Sequence, residues 1–296
     1  MTVSIITPAY NRANTLPRLF DSLQKQTCMD FEWIVVDDGS VDNTREVVAD
    51  FENAASFPMR CFTKTNGGVH TARNRGIREA TGTLIMFIDS DDALMPHAVE
   101  LGITLWNKTK FDFLFGRYVR EDGKTLGIPY PENFNDLPKF KKDRFRRKYS
   151  FDCFVTIQTD ILKNNFYPEP ENTKFILESM LWNELYVKYE CLYTNEIFGT
   201  NYHDQENQLT KHWQTPEIFR AYYLASLDLF NRIFDMNKSF TAYEKTKVMY
   251  RLLRAGIKLE KPLRKINRDL KKSSSRLLAA VMYVPLYIYI SVKKGC

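Results

Sequence analysis

Asp89, Asp91 and Asp92 follow directly on the apolar residues 84–88, so the stretch 84–92 reads LIMFIDSDD. An unbroken apolar run of that length is what a strand buried on both faces requires. Carboxylates placed straight after it sit at the strand's carboxyl end, where open α/β sheets bind ligands. Asp89 and Asp91 are spaced to share one hard cation, with Ser90 pointing elsewhere. Mg²⁺ and Mn²⁺ take oxygen ligands, commonly one or two carboxylates completed by substrate phosphates. An acidic turn that caps the next helix, with Asp92 as N-cap ahead of Pro96, accounts for the same residues.

The elements that would position these groups lie upstream. Residues 32–40 read EWIVVDDGS, a second apolar strand core ending in paired aspartates and a glycine, and residues 3–7 form a short β-branched strand that runs into Pro8, Ala9, Tyr10, Asn11 and Arg12. Leu16, Leu19, Phe20 and Leu23 recur at helical spacing, and Asp42 is placed to cap a helix over 44–51. Strand–helix alternation with short connections predicts a parallel sheet whose carboxyl ends open on one side, which gathers 7–11, 37–40 and 89–92 into a single cleft. A fourth element, residues 66–76, reads NGGVHTARNRG. Two glycines opening a helix allow close backbone approach, and a helix N-terminus favours negative charge. Arg73 and Arg75 add cations there. A plain turn followed by a solvated basic face is the other reading.

The ordered set TPAYNR, VVDDGS, NGGVHTARNRGI and FIDSDD resembles the family 2 glycosyltransferases, closely over residues 2–97 and more loosely to about residue 210. The resemblance implies a GT-A fold, an α/β architecture with a Rossmann-like, mostly parallel sheet flanked by helices. It implies a nucleotide-sugar donor, usually uridine-linked, and inversion at the anomeric carbon. By position, Pro8 and Tyr10 would line the base pocket, Asp38 would hydrogen-bond the uracil, and Asn66 and Arg73 would approach the nucleotide. Asp89 matches the first aspartate of the family's DXD motif, with Ser90 beside it on the donor, and Asp91 the metal-binding one, for Mn or Mg. Inversion also needs a base for the acceptor hydroxyl. Residues 174–186 read KFILESMLWNELY, which makes Glu178 the candidate, with Trp182 on the same helical face. Ser179 stands where the family more often has the second acid of a pair, which leaves Glu184 as the competing carboxylate.

Charge and composition bound the rest. The 296 residues are 44% hydrophobic, as suits a globular chain, and the five cysteines are odd in number and without CxxC spacing, which implies neither a disulfide framework nor a zinc site. His70, His97, His203 and His212 form no HExxH pattern, and His203 reads either as a loop residue visiting the phosphates or as a plain surface histidine. The first residues enter a strand with no charged or apolar leader, which predicts a cytoplasmic catalytic domain. Net charge is +6, with excess in 139–148, KFKKDRFRRK, and in 258–276, where eight basic residues meet two acidic ones. No nucleic-acid module accompanies them, so no nucleic-acid partner is expected. Residues 277–292, LLAAVMYVPLYIYISV, are too short to span a bilayer and carry Pro285. They read either as a segment on an anionic inner membrane surface or as a helix packed on the protein itself.

The expected organisation is a GT-A domain over 1–214 and a helical C-terminal extension over 215–296. A strand over 111–118 should turn at 121–124, and the basic run after Pro129, Pro131 and Pro138 should be a loop over the acceptor site. The function expected is transfer of one sugar to a saccharide or lipid-linked saccharide in surface-polysaccharide synthesis. A nucleotidyltransferase would also join paired aspartates to a nucleotide-binding sheet, but its glycine-rich loop with a lysine after the first strand is missing. An aspartyl-phosphate phosphatase would carry DXD after the first strand. A non-catalytic binder of sugar nucleotides or membrane would have no physical need for Asp38, Asp89 and Asp91 together.

Overall fold

The computed structural model describes residues 2–148, 153–202, 215–237 and 239–294. Contacts divide the chain into two compact units, one of Met1–Glu169 with Lys188–Glu206 and one of Pro170–Val187 with Asn207–Cys296.

The first unit opens with β1 (Val3–Ala9), α1 (Leu16–Gln24), β2 (Phe31–Asp37), α2 (Thr44–Ala54), β3 (Met59–Thr63), α3 (Val69–Glu79) and β4 (Leu84–Phe87). These four strands are parallel, in the order β3-β2-β1-β4. Their side chains alternate as a two-sided strand must. Val3, Ile5, Trp33, Val35, Leu84 and Met86 join the core beneath α1 and α2, where Leu16, Leu19, Phe20 and Leu23 form the buried stripe read from the sequence. Ile6 lies on the other face, under α3, so close that a Cβ on Gly76 would overlap its Cγ2. Glycine at 76 is therefore a packing requirement.

The sheet continues through β5 (Ala93–Leu94), α4 (Ala98–Thr109), β6 (Phe113–Arg120), α5 (Lys139–Lys148), β7 (Phe154–Gln158) and α6 (Thr159–Lys163). Past α7 (Ser179–Lys188), β8 (Cys191–Asn201) completes one sheet of eight strands among the described residues, ordered β3-β2-β1-β4-β7-β6-β8-β5. It is mixed. β7 runs antiparallel to both β4 and β6, and β5 antiparallel to β8, while β6 and β8 are parallel. Residues 139–148, expected as a loop, instead form α5. Pro138 opens it, its carbonyl accepting the N–H groups of Lys141 and Lys142, and the aromatic ring of Phe145 packs on Phe134 with centroids 4.8 Å apart. The chain also turns as expected after β6, at a positive-φ Gly123.

The second unit holds α7 up to Val187, then α8 (Pro216–Asp228), a π-turn at Leu229–Ile233, α9 (Phe234–Met236), α10 (Ala242–Lys258), α11 (Leu263–Asp269) and α12 (Ser273–Lys294). Thr215 caps α8, and Thr241 with Glu244 makes a reciprocal capping box on α10. Met249, Leu252, Leu253 and Ile266 form the centre of its core. The sequence put a break in the last apolar segment at Pro285, but α12 runs through it. The carbonyl that proline frees belongs to Val281 on the exposed side of the helix, where water can take it. Ala279, Leu286 and Ile290 pack inward; Leu277, Val281, Val284 and Ile288 form an outward stripe. The sequence made 277–292 too short to span a bilayer, but α12 begins at Ser273, and by length and composition residues 273–290 suffice to cross a membrane, with 22% of that window buried.

Candidate active site

Parallel pairing sets Ala9 beside Asp37 and Asp37 beside Thr63, with β4 ending next to β1, so the strand ends form one edge of the first unit. Backbone and side-chain bonds zip the first two together. Asp38 N–H donates to Ala9 O at 2.8 Å, Asn11 N–H to Ser40 Oγ at 2.9 Å, and Val41 N–H to Asn11 Oδ1 at 2.9 Å. Asn11 sits at φ 54°, a left-handed position that asparagine tolerates well. Pro8 is buried in β1, whereas the Tyr10 ring is 44% exposed and free to meet a flat ligand.

The two aspartates of VVDDGS do different work. Asp37 is buried; it accepts Ser40 N–H at 2.8 Å and the Arg45 Nε–H at 2.9 Å, and so closes the turn. Asp38 reaches across to the glycine loop, where its carboxylate accepts the N–H groups of Gly67 (3.0 Å) and Gly68 (2.7 Å) and the Lys64 ammonium (2.6 Å). Gly68, at φ 95°, is the N-cap of α3, a conformation that only glycine adopts without strain. Asn66 is half-buried beside this loop. Lys64 was not singled out in the sequence; its signal was its place just after β3, at the same edge as the acidic strand ends.

Arg73, a turn into α3, is nearly buried and its Nη2 donates to Asp89 Oδ1 at 3.0 Å. Asp89 itself is 55% exposed, and this ion pair offsets its charge. Asp91 is less fortunate. Burial pushes its carboxyl above the usual range, Asp89 adds to the rise, and Arg12 and Arg18 oppose it from a distance. Ser90 between them is buried. The donor set is therefore carboxylate oxygen, one member of which has no ion-pair partner among the described residues, and it fits a hard divalent cation. Among the described residues no three His, Cys, Asp or Glu side chains converge as a ready-made cage.

Asp92 does not cap the next helix, which starts at Ala98 with His97 at its N-cap. It is buried and accepts the Tyr202 N–H and the Asn201 Nδ2–H, both at 3.1 Å, so the end of β8 is tied to the end of β4. Arg18 closes the knot. Its guanidinium lies 3.6 Å from the centroid of the Tyr202 ring and donates to the Asp91 carbonyl. Desolvation and the charges of Asp89 and Asp91 push Asp92 up to about 8. The signal for this brace was the fourth residue of DSDD, read as a helix cap because strand β8 lies so far along the chain. His203, just beyond, lies outside the described residues.

His70 is buried in the first turn of α3, and neither ring nitrogen has a hydrogen-bond partner among the described residues. Burial, then Lys64 and Arg73, hold its pKa below the ordinary 6.5, against Glu169 and Asp38. The folded chain thus keeps His70 neutral. Once pH falls below about 6.5 the unfolded chain takes up the proton first, so stability declines with acidification. His70→Phe should flatten that decline in thermal melts run at successive pH values. An unchanged slope would show that His70 is not its source.

Glu178 and Glu184 lie in the second unit. Glu178 is exposed, and Trp182 Nε1–H donates to its Oε2 at 3.3 Å. Glu184 pairs with Arg232 Nη1 at 2.8 Å, and Arg232 in turn binds Asp228.

Residues 4–162 match the family model for glycosyl transferase family 2, more than half of the chain. The chain belongs to that family. Chondroitin synthase of Pasteurella multocida is 37% identical over 145 residues, 48% of this chain but 14% of that protein. A UDP-Glc:alpha-D-GlcNAc-diphosphoundecaprenol beta-1,3-glucosyltransferase of Escherichia coli, WfgD, is 36% identical over 117 residues, 39% of this chain and 45% of that protein. The family 2 chain thus matches less than half the length of these curated relatives. Among solved structures, residues 1–349 of S. aureus TarS in complex with UDP-GlcNAc superpose with a TM-score of 0.68 at 19% identity, covering 100% of this chain and 92% of that one. The mannosyltransferase PcManGT of Pyrobaculum calidifontis, with GDP-Man and Mn2+, gives 0.57 at 14% identity over 98% and 83%. The fold is GT-A.

Proposed function

We propose that this family 2 chain is an inverting, metal-dependent glycosyltransferase that moves one sugar from a UDP-linked donor to a saccharide or lipid-linked saccharide in surface-polysaccharide synthesis. The observation that carries the reading is Asp91, a partly buried carboxylate just after β4 whose neighbour Asp89 is ion-paired with Arg73. The bound ligands of the two structural neighbours, UDP-GlcNAc in one and GDP-Man with Mn2+ in the other, support a nucleotide-sugar donor, and the relatives' names support the acceptor class.

In this reading the uracil rests between Pro8 and Tyr10. The Asp38 carboxylate has about four lone-pair sites, of which the glycine loop and Lys64 use three, leaving one on Oδ2 for the uracil imide N–H. Asn66 and Ser90 contact the nucleotide sugar, and Arg73 steadies Asp89 beside the diphosphate. A divalent cation, Mn or Mg, held by Asp91 supplies positive charge for the departing nucleoside diphosphate. Glu178 takes the proton of the acceptor hydroxyl. Residues 1–214 then serve as the catalytic part and 215–296 as the helical extension, though residues 170–187, which carry Glu178, cluster with the extension.

The outward stripe of α12, with Lys271, Lys272 and Arg276 ahead of it, suits an anionic inner-leaflet surface, where each basic residue adds about 1 kcal/mol. The enzyme would then work at the cytoplasmic face of the membrane, where a lipid-linked acceptor presents its sugar. A nucleotide-sugar panel, run with Mn2+, Mg2+ or chelator and with or without anionic vesicles, tests both halves. Donor hydrolysis or binding that requires metal, and sedimentation with vesicles that Leu277→Asp/Ile288→Asp abolishes, are expected. Absence of any nucleotide binding would overturn the enzymatic reading, and full-length protein left in the supernatant at low salt the membrane one.

A further inference from the structure

A groove of about 830 Å³ runs through the helical unit between residues 170–173, α8, residues 259–262 and α11. Its lining combines the apolar side chains of Leu224, Leu227 and Leu259 with the basic ones of Arg220, Lys261 and Lys265, Arg220 standing one turn before Leu224 on α8. Lys261 is fixed there by the end of α10. Lys261 N–H donates to Gly256 O at 2.9 Å and Glu260 N–H to Ile257 O at 3.0 Å, the paired bonds of a Schellman turn. That turn places Glu260 at φ 56°, where a glycine or asparagine would be at ease, so strain is retained at this spot.

The Lys261 ammonium lies 4.7 Å from the centroid of the Tyr223 ring. Asp269 is engaged by the Tyr223 hydroxyl, which donates to it at 2.6 Å. Burial holds Lys261 below the usual lysine range, and Lys265, Arg220 and Arg268 hold it lower still, with Asp269 alone among its main neighbours opposing them. Glu171 and Glu260 stand exposed on the rim. Among the described residues no carboxylate pairs with Lys261 or Lys265. Arg220 is oriented by donating to Asn172 O at 2.6 Å. Three cations near one another, Lys261 with Lys265 and Arg220, therefore line a groove that leucines also line.

We propose that this groove binds a phosphate ester that carries an apolar chain, with the phosphate held by Lys261, Lys265 and Arg220 and the chain laid along the leucine wall. A phosphate ester brings two terminal oxygens and one charge as a diester, or three and two as a monoester, and either meets these donors and relieves their mutual repulsion. The groove is far larger than one phosphate, which leaves room for what the phosphate is attached to. The source is either a single ester molecule, such as a lipid-linked phosphate, or the headgroups of a bilayer. The site belongs wholly to the helical unit and does not depend on the donor-site reading.

Isothermal titration of the full chain with hexyl phosphate and with inorganic phosphate tests it. Hexyl phosphate should bind more tightly than inorganic phosphate, and Lys261→Gln/Lys265→Gln should weaken it about tenfold or more, as loss of charge-assisted bonds does. An unchanged melting temperature certifies the double variant as folded; otherwise Lys265→Gln alone, at an exposed side chain, carries the test with a loss of about threefold. Equal affinity for hexyl phosphate in wild type and variant, or no binding by wild type, overturns the proposal. Phosphatidylglycerol vesicles separate the sources. Reduced vesicle binding in the double variant assigns the groove to bilayer headgroups, and unchanged vesicle binding with lost hexyl phosphate binding assigns it to a single ester.

Discussion

Glu178→Gln is expected to lose about 10²–10⁴ in transfer rate while its donor affinity stays at the wild-type value, because a base acts on the acceptor and not on the nucleotide. The substitution is gentle on structure. Glutamine keeps an oxygen to accept the Trp182 indole N–H that Glu178 accepts at 3.3 Å, so side-chain placement should survive the loss of basicity. Glu184, which lies within α7 where Glu178 only precedes it, is committed to an ion pair. It is spent on Arg232, whose guanidinium Asp228 and Glu184 together hold above its usual range. Glu184→Gln should therefore cost stability more than rate. Single-turnover transfer by the two variants decides between them, and wild-type transfer by Glu178→Gln beside a dead Glu184→Gln would reverse the assignment.

The sheet and its edge were legible because parallel strands buried on both faces write themselves as apolar runs. Residues 3–7, 32–36 and 84–88 announced β1, β2 and β4, and the polar groups that follow each one fell on a single edge because the strands are parallel. What the sequence concealed was pairing between distant segments. Nothing local in Asp92 says that its partners are Asn201 and Tyr202, a hundred residues on, and the local explanation, a helix cap, was the natural one. Asp37 and Asp38 look alike in VVDDGS, yet alternation along β2 sends one into its own turn and the other across to Gly67 and Gly68. Residues 139–148 were misread for a different reason. With eight charged residues in ten they lack an apolar stripe, and α5 forms because Pro138 starts it and Phe145 anchors it on Phe134. In the tail, the exposed and packed faces of α12 were both apolar, so periodicity could not tell a membrane face from a core face.

Asp91→Asn should separate function from stability. Asp91 is held where burial and Asp89 disfavour its charge, so at neutral pH its ionised form is a cost to the folded chain when no cation is bound. Asparagine removes that cost. The variant should melt higher than wild type in the presence of chelator, and more so because Asp92, itself pushed up to about 8 in part by Asp91, loses a repulsive neighbour. With Mn²⁺ present the order should reverse. Loss of even an outer-sphere partner typically weakens a metal site about 10–100-fold, and removal of the ligand itself should erase at least that much of the metal-dependent gain in UDP-sugar affinity. Arg73 and Asp89 remain paired in the variant, so metal-independent nucleotide binding through Tyr10, Asp38 and the glycine loop should persist. Two titrations of one nucleotide sugar, with Mn²⁺ and with chelator, measure the difference. The metal assignment falls if Asp91→Asn keeps the wild-type response to Mn²⁺. A variant that melts lower in chelator would instead mean that Asp91 is stabilised in its charged form by groups other than a cation.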